Sequence, residues 1–356
     1  MPELPEAEKA AKLLRDIAAG KVIIKVETTE DNIVYSGTDH LQFAKELTDR
    51  KVIDAARYGK VFYLTLDGHG GMPVLHFGMT GMLQVKGDQP THYRSSGTTK
   101  KAASDWPPRF MKFILHLKDE ASDSVTEVAF LDARRLARIR LCASPLTEPP
   151  ISNLGFDPII SMASLPDLQT AVLKRSCPIK ALLLDQSFSA GIGNWVADEV
   201  LYHARVHPER RCNTLTAAEI EALHDKIQYV CKTAVAVNAD DSKFPENWLF
   251  KHRWGKGKKK DHTLTLPSGQ LATIKWIKVG GRTSAYVAEL QKLTPSREAE
   301  VDDSSRETDE ESDLTPLEED EPEVVLSVKR KRQTKPKVTT TATTSQRKTK
   351  RSKFFK

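Results

Sequence analysis

The chain has few cysteines, and their spacing suits neither metal nor disulfide chemistry. Cys142, Cys177, Cys212 and Cys231 are widely separated and form no CxxC pair, which disfavours a cysteine metal site or a disulfide framework. Structural thiols are expected instead. His203 and His207 stand at i and i+4 without the glutamate of an HExxH motif, so a surface or phosphate role is read for them in place of zinc. No apolar run approaches the ~18 residues that span a bilayer. The N-terminus also lacks the basic-then-apolar plan of a secretory leader. A soluble, intracellular chain with no membrane role is the expectation.

What is present is charge, unevenly placed. Of 356 residues 29% are charged, mean hydropathy is −0.45 and formal net charge is +6. Residues 296–323 hold 14 Asp/Glu against 2 Lys/Arg, whereas residues 329–356 hold 12 Lys/Arg and no acid. These blocks cancel. Residues 1–295 therefore keep 40 basic against 34 acidic side chains, a basic body that points to a polyanionic partner. Residues 294–356 have too few apolar side chains for a core and read as a disordered acidic-then-basic tail. Lys329-Arg330-Lys331-Arg332 and the basic cluster at 346–351 resemble nuclear-import signals, although basic tails also grip nucleic acid. The nucleus is the expected address.

The body changes texture part-way. Residues 5–19 keep helical spacing, with Pro5 in the first turn and Gly20 as a stop. Short β-prone runs follow at 22–28, 52–57, 61–66, 74–77, 82–85, 110–117, 125–130 and 137–141, which predict an antiparallel sandwich or flattened barrel. A polar insert at 87–108 reads as a loop. Amphipathic segments at 163–174, 178–185, 195–204 and 217–237 then predict helices. Beyond them, Pro267-Ser268-Gly269 lies between β-prone runs at 262–266 and 271–279 and reads as a hairpin turn. The fold class expected is α+β, with a β domain and a helical domain in series.

The first eight residues, Met1-Pro2-Glu3-Leu4-Pro5-Glu6-Ala7-Glu8, carry the most chemistry. Small second residues permit removal of Met1, which leaves Pro2 with a free ring nitrogen. An amine that attacks the anomeric carbon of a sugar makes an iminium, an electron sink for later bond cleavage. Glu3 is placed to move a proton at the sugar, and Glu6 follows one helical turn on. Taken alone, such a start is ordinarily a frayed tail. A second candidate is Gly191-Ile192-Gly193-Asn194, where two glycines and an Asn at a helix start can turn backbone N–H groups toward a phosphate. Lys180 on the preceding helix strengthens that reading.

Several of these motifs, in this order, resemble the formamidopyrimidine-DNA glycosylases. The resemblance rests on Pro2 to Glu6, His76 to Leu83, Arg134-Arg135, Ile179 to Gln186 through Gly191 to Asn194, and Gly280-Gly281-Arg282-Thr283, and it spans about residues 2–293. It is similar to plant and fungal members. The resemblance implies a catalytic N-terminal helix and β-sandwich at 2–145, a helix-two-turn-helix DNA-binding domain at 146–250 and a β-hairpin finger at 251–293. Bacterial members ligate zinc there with four cysteines. This chain has no cysteine after Cys231, so a zincless finger held by packing, with Trp276 and Tyr286, is expected.

Carried onto matching positions, the resemblance makes Pro2 the nucleophile, Glu3 the acid/base, Lys60 a third catalytic residue, and Glu6 a support of the lesion pocket. Lys60, His76, Lys180, Asn194 and Arg282 become the phosphate clamp, and Met79, Arg135 and Leu136 fill the vacancy left by an extruded base. Leu136 departs from the family, which has Phe there; leucine wedges between bases but does not stack as an aromatic does. The implied activity is a bifunctional glycosylase and AP lyase acting on oxidised bases by β,δ-elimination, without metal or redox cofactor. Damaged double-stranded DNA is the expected partner, met as a monomer, with the tail as a docking segment for other repair proteins. The alternatives are an endonuclease VIII-like enzyme for oxidised pyrimidines, and a non-catalytic protein that binds damaged DNA.

Overall fold

The computed structural model describes residues 2–88, 106–254 and 263–293; most of the polar insert, residue 262 and the whole tail lie outside these. The first helix, α1 (Leu4–Ala18), begins with Pro5 in its first turn and with the Glu6 carboxylate accepting the Glu3 N–H at 2.8 Å. That reciprocal geometry satisfies a donor the helix itself leaves open. Ala10, Ala11, Leu14 and Ala18 enter the core of the β-sandwich, whereas Leu4 enters the core of the helical half. One amphipathic helix thus has its start in one core and its body in the other.

The sandwich is built from β1 (Val22–Thr28), β2 (Val52–Tyr58), β3 (Val61–Leu66), β4 (Met72–His76), β5 (Met82–Val85), β6 (Met111–Lys118), β7 (Val125–Leu131) and β8 (Arg138–Cys142). They form two antiparallel sheets in the orders β1-β6-β7-β5 and β2-β3-β4-β8. Phe62, Phe77, Phe113 and Phe130 meet between the sheets, with ring centroids 4.6 to 5.6 Å apart along the chain of contacts. Rings at these separations add to the area they bury. A helix absent from the sequence expectation, α2 (His40–Leu47), caps one side. Asp39 accepts the Leu41 and Gln42 N–H groups at 2.8 Å, and Phe43 and Leu47, four apart, are fully buried.

The helical half holds α3 (Leu165–Leu173), α4 (Ile179–Leu184), α5 (Asn194–Ala204) and α6 (Ala217–Ala236). Thr216 and Glu219 close a capping box at the start of α6, a sequence-legible helix start. The finger departs from expectation. Its hairpin is β9 (Ile274–Val279) with β10 (Arg282–Val287), turning at Gly280 and Gly281, whose φ values are 60° and 74°. Two left-handed positions in a two-residue turn match the twist of the flanking strands, and Gly-Gly supplies them. Pro267–Gly269 makes only a tight turn with a single Thr265–Leu271 bridge. Leu249, Leu264, Ala272, Ile274, Ala285 and Val287 form the finger's own small core. Trp276 packs on that core and donates to the Arg253 carbonyl, and Tyr286 stands edge-on to His207. His207 is buried, and His203 lies 3.0 Å from the buried Glu199 carboxylate, so neither histidine has the surface role expected of it.

Candidate active site

Seven separate stretches of chain converge on one cavity of about 540 Å³. The N-terminus enters it first. The Leu4 N–H bonds the Gly191 carbonyl at 3.0 Å, and a Cβ on Gly191 would stand 2.8 Å from Leu4. Gly191 has φ of +94°, so its lack of a side chain serves both the turn and the close approach. Pro2, two residues before Leu4, lines the cavity. Gln186 holds the loop from inside, donating to the Leu184 and Ile192 carbonyls and accepting the Gly191 N–H.

Glu3 is buried, and its two carboxylate oxygens accept the N–H groups of Trp195 and Val196 at 2.9 and 3.0 Å. These are donors that the first turn of α5 cannot use internally. The sequence reading gave this helix start to a phosphate; the protein's own carboxylate occupies it. Asn194 is not the helix cap, a position taken by Gly193. Its side-chain amide lines the cavity and donates to the Thr283 carbonyl at 3.0 Å, which ties α5 to the finger.

Lys60 sits in the turn between β2 and β3. Buried Asp157 accepts from Arg57 and, at 2.8 Å, from the Gly59 N–H, and Arg57 also bonds Glu8 at 2.7 Å. The turn is thereby fixed against the helical half, where a Cβ on Gly59 would meet Ala190 at 3.0 Å. The Lys60 ammonium reaches the cavity and donates to the Ile192 carbonyl at 3.0 Å. Burial pushes its pKa down from the usual lysine value, against the opposing pull of Glu3 and Glu6.

His76 lines the same cavity, and burial, then Lys60, Arg140 and Arg138, pull its pKa down to about 4. It is therefore neutral at pH 7. Its Nδ1 accepts the Gly78 N–H at 3.1 Å, which assigns the ring proton to Nε2. Arg282 closes the cavity from the finger, where a Cβ on Gly280 would stand 3.1 Å from Ala181 Cα. Arg138 and Arg140 on β8 also face inward. Among the described residues no carboxylate lines the cavity beside these cations, which suits it to an anion.

The comparisons agree with this geometry. Residues 1–139 match the model of the formamidopyrimidine-DNA glycosylase N-terminal domain, and residues 154–246 match that of the formamidopyrimidine-DNA glycosylase H2TH domain. The formamidopyrimidine-DNA glycosylase of Arabidopsis thaliana is 40% identical over 293 residues, covering 82% of this chain and 71% of that protein. The chain belongs to the formamidopyrimidine-DNA glycosylase family. The Heliobacterium modesticaldum formamidopyrimidine-DNA glycosylase is 32% identical over 66% of this chain and 79% of its own length. Among solved structures, that of the Lactococcus lactis enzyme bound non-covalently to AP-site DNA shares the fold, with a TM-score of 0.63 and 23% identity over 82% of this chain and all of that one.

Two family residues stand elsewhere than the sequence reading put them. Lys180 was assigned to the phosphates, yet it is 0% exposed. Its ammonium pairs with buried Asp198 and donates to the Asn194 carbonyl at 2.9 Å. Asp198 also binds Arg253, Ser284 and the Ala285 N–H. Lys180 is thus consumed in a buried network that docks β10 on α5, and leaves none of its charge for DNA. Glu6 was assigned to the lesion pocket. It lies behind Glu3 instead, with Oε2 on the Glu3 N–H and Oε1 accepting from the Trp195 indole at 3.2 Å. Burial, then the Glu3 charge, raises its pKa to about 7.

The three residues expected to fill the vacancy lie on two adjoining loops. Met79 is in the turn between β4 and β5, and Arg135 and Leu136 are between β7 and β8. Buried Asp132 joins them, accepting from Thr80 Oγ1 and from the N–H groups of Arg134, Leu136 and Ala137. A Cβ on Gly78 would lie 2.3 Å from the Leu136 carbonyl oxygen. Leu136 is 38% exposed, and Arg135, at φ of +57°, is exposed with its guanidinium on Asp31. Sequence reasoning missed Asp132, Asp157, Arg138, Arg140 and Gln186; only the Arg-x-Arg alternation at 138–140 offered a signal, two cations on one face of a strand.

Proposed function

We propose that the chain is a bifunctional DNA glycosylase and AP lyase of base excision repair, which removes oxidised bases from duplex DNA and cuts the strand at the resulting abasic site. The observation that carries this reading is the position of Pro2 at a cavity lined by Lys60, Arg138, Arg140 and Arg282, with the Glu3 carboxylate fixed directly behind Gly193. With Met1 removed, the Pro2 nitrogen attacks C1′ as the glycosidic bond breaks, and the base leaves with a proton. Glu3 transfers a proton at the sugar ring oxygen as the ring opens, giving an iminium. Loss of the C2′ and then the C4′ proton expels the flanking phosphates in turn. Lys60, neutral His76 through its Nε2–H, and Arg282 hold phosphate oxygens, which positions the sugar without reading sequence.

The lesion preference we propose is for formamidopyrimidines and further-oxidised guanines over 8-oxoguanine. What supports it is the segment after α6. Asn238 and Ala239 turn with positive φ, and Phe244 is buried against Trp195 and Trp248, so this short loop is spent on the core and not on a cover for the lesion. We further take the protein to act as a monomer in the nucleus, with its basic tail as import signal and partner-docking segment.

Borohydride trapping tests the activity. Wild-type protein should form a reduced covalent adduct with an oxidised or abasic duplex, lost in Pro2→Gly and when Met1 is retained. Absence of an adduct on both duplexes would return the chain to a non-catalytic binder of damaged DNA. A lesion panel tests the preference, and fast 8-oxoguanine excision with negligible formamidopyrimidine release would reverse it.

A further inference from the structure

The strand β8 carries two guanidiniums to the cavity that the clamp of Lys60, His76, Asn194 and Arg282 does not use. Arg138 and Arg140 are alternate residues, so they project on one face, and both line the cavity that holds Pro2. In the ladder Arg138 stands opposite His76 and Arg140 opposite Val74; β8 is the last strand of its sheet, and on its outer side Ile139, between the two arginines, bonds the Val34 carbonyl and the Ser36 N–H. Arg138 donates to the adjacent Ala137 carbonyl. Arg140 is half-buried and, among the described residues, has neither a hydrogen bond nor an ion pair. Its partial burial and Arg138 beside it both work against its charge. Two neighbouring, partly buried guanidiniums with no carboxylate beside them in the cavity lining, among the described residues, are stabilised by an anion that bridges them.

We propose that Arg138 and Arg140 form a second phosphate subsite, which takes a terminal phosphate monoester at the gap left by strand cleavage. The proposal rests on the lyase reading above. In β-elimination a base removes the C2′ proton and the C3′–O bond breaks, its electron pair leaving on the phosphate that begins the downstream strand. In δ-elimination the C4′ proton is lost and the C5′–O bond breaks, leaving a phosphate at the end of the upstream strand. Each internal phosphodiester carries one negative charge, whereas a terminal monoester, with its second ionisation near pH 6, carries almost two. Two arginine forks at positions i and i+2, roughly 7 Å apart along a strand, offer the paired donors that a dianion takes up best. The subsite therefore favours cut product over intact strand, and lies beside the clamp that held the phosphates before cleavage.

Binding to preformed gapped duplexes tests this without depending on catalysis. Four one-nucleotide gaps are compared by fluorescence anisotropy at one salt concentration: phosphates on both ends, on the upstream end alone, on the downstream end alone, and on neither. Wild-type protein should bind the fully phosphorylated gap roughly tenfold more tightly than the hydroxyl-ended one, and the single-phosphate gaps identify which end is held. R138Q/R140Q should lose that preference, and R138K/R140K, which keeps the charges but not the paired donors, should retain only part of it. Equal wild-type affinity for phosphate-ended and hydroxyl-ended gaps, or an undiminished preference in R138Q/R140Q, overturns the subsite. A failed borohydride trap with this preference intact would refute the enzyme and leave the subsite standing.

Discussion

The Glu3 carboxyl lies across Gly193 so closely that a Cβ there would stand 2.3 Å from Glu3 Cδ. Gly193 is the cap residue of α5, and the same carboxyl accepts the free N–H groups of Trp195 and Val196, two and three residues on. The glycine therefore makes room for the group that satisfies the helix start and stands beside Pro2. Gly193→Ala should push Glu3 off both donors. Leaving buried N–H groups unpaired costs about 1–3 kcal/mol, and a displacement of about 1 Å at the reacting centre lowers the single-turnover excision rate by roughly a hundredfold. Urea unfolding and single-turnover kinetics read the two effects; a variant with the wild-type rate would detach Glu3 from the chemistry.

The burial of Lys180 separates it from the other lysine and arginine of the proposed clamp. Lys60→Ala and Arg282→Ala should each flatten the dependence of log Kd on log salt by roughly one unit. Lys180→Ala should leave that slope unchanged, because its ammonium faces Asp198 and not solvent. It should instead destabilise the fold by about 3–5 kcal/mol, since Asp198 loses a partner inside the protein. Salt titrations of binding to an abasic-analogue duplex, with thermal melts of the same variants, distinguish the two classes.

Glu6 gives the protein a stability gradient across neutral pH. Its pKa is 4.5 as an ordinary side chain and about 7 in the fold, because of burial and then Glu3. Between those values the native state binds more protons than the unfolded chain, so stability falls as pH rises through the window and levels off above it. The loss amounts to on the order of 3 kcal/mol by pH 8. His76 has the opposite sign: its pKa, depressed from 6.5 to about 4, makes stability fall as pH drops through that range. Glu6→Gln should flatten the decline between pH 5 and 8 in urea unfolding, and an unaltered slope would place its source elsewhere.

The legible parts of this chain were those governed by local rules. Period-two runs located the eight strands of the sandwich, and amphipathic spacing located α6, whose start Thr216 and Glu219 cap. The hairpin was misplaced because Pro267-Ser268-Gly269 is a strong turn signal, whereas the pairing was decided by Gly280-Gly281, which offers two adjacent left-handed positions. Family motifs named Lys180 and Glu6 but not their surroundings. Whether a lysine meets a phosphate or a buried aspartate depends on Asp198, 18 residues away on another helix, and no spacing rule reports that. Asp132 and Asp157 were invisible for the same reason, since Asp157 accepts from Arg57 and the Gly59 N–H on a remote turn, and Asp132 ties N–H groups of its own loop to the remote Thr80 hydroxyl.

Arg135 and Asp31 supply a test of how the loop proposed to face the vacancy in the duplex is built. Asp31 is buried and accepts from Arg135, from Lys112 at 2.8 Å, and from the N–H groups of Ile33 and Val34. Burial alone would raise its pKa, but these donors hold it well below the usual carboxylate range. Arg135, by contrast, is half-exposed at its side chain and reaches no other carboxylate. Arg135→Ala should therefore cost less than about 1 kcal/mol of stability, because Lys112 still satisfies Asp31, while weakening binding to a duplex that holds an abasic analogue. Asp31→Ala should cost several times more, about 3 kcal/mol or above, because it strands the buried Lys112 ammonium. If Arg135 enters the duplex, it must leave Asp31, and the Asp31→Asn substitution, which keeps the backbone contacts but weakens the ion pair, should then tighten lesion binding. If Asp31→Asn weakens binding instead, the pair persists on DNA and Asp31 is the residue that aims Arg135.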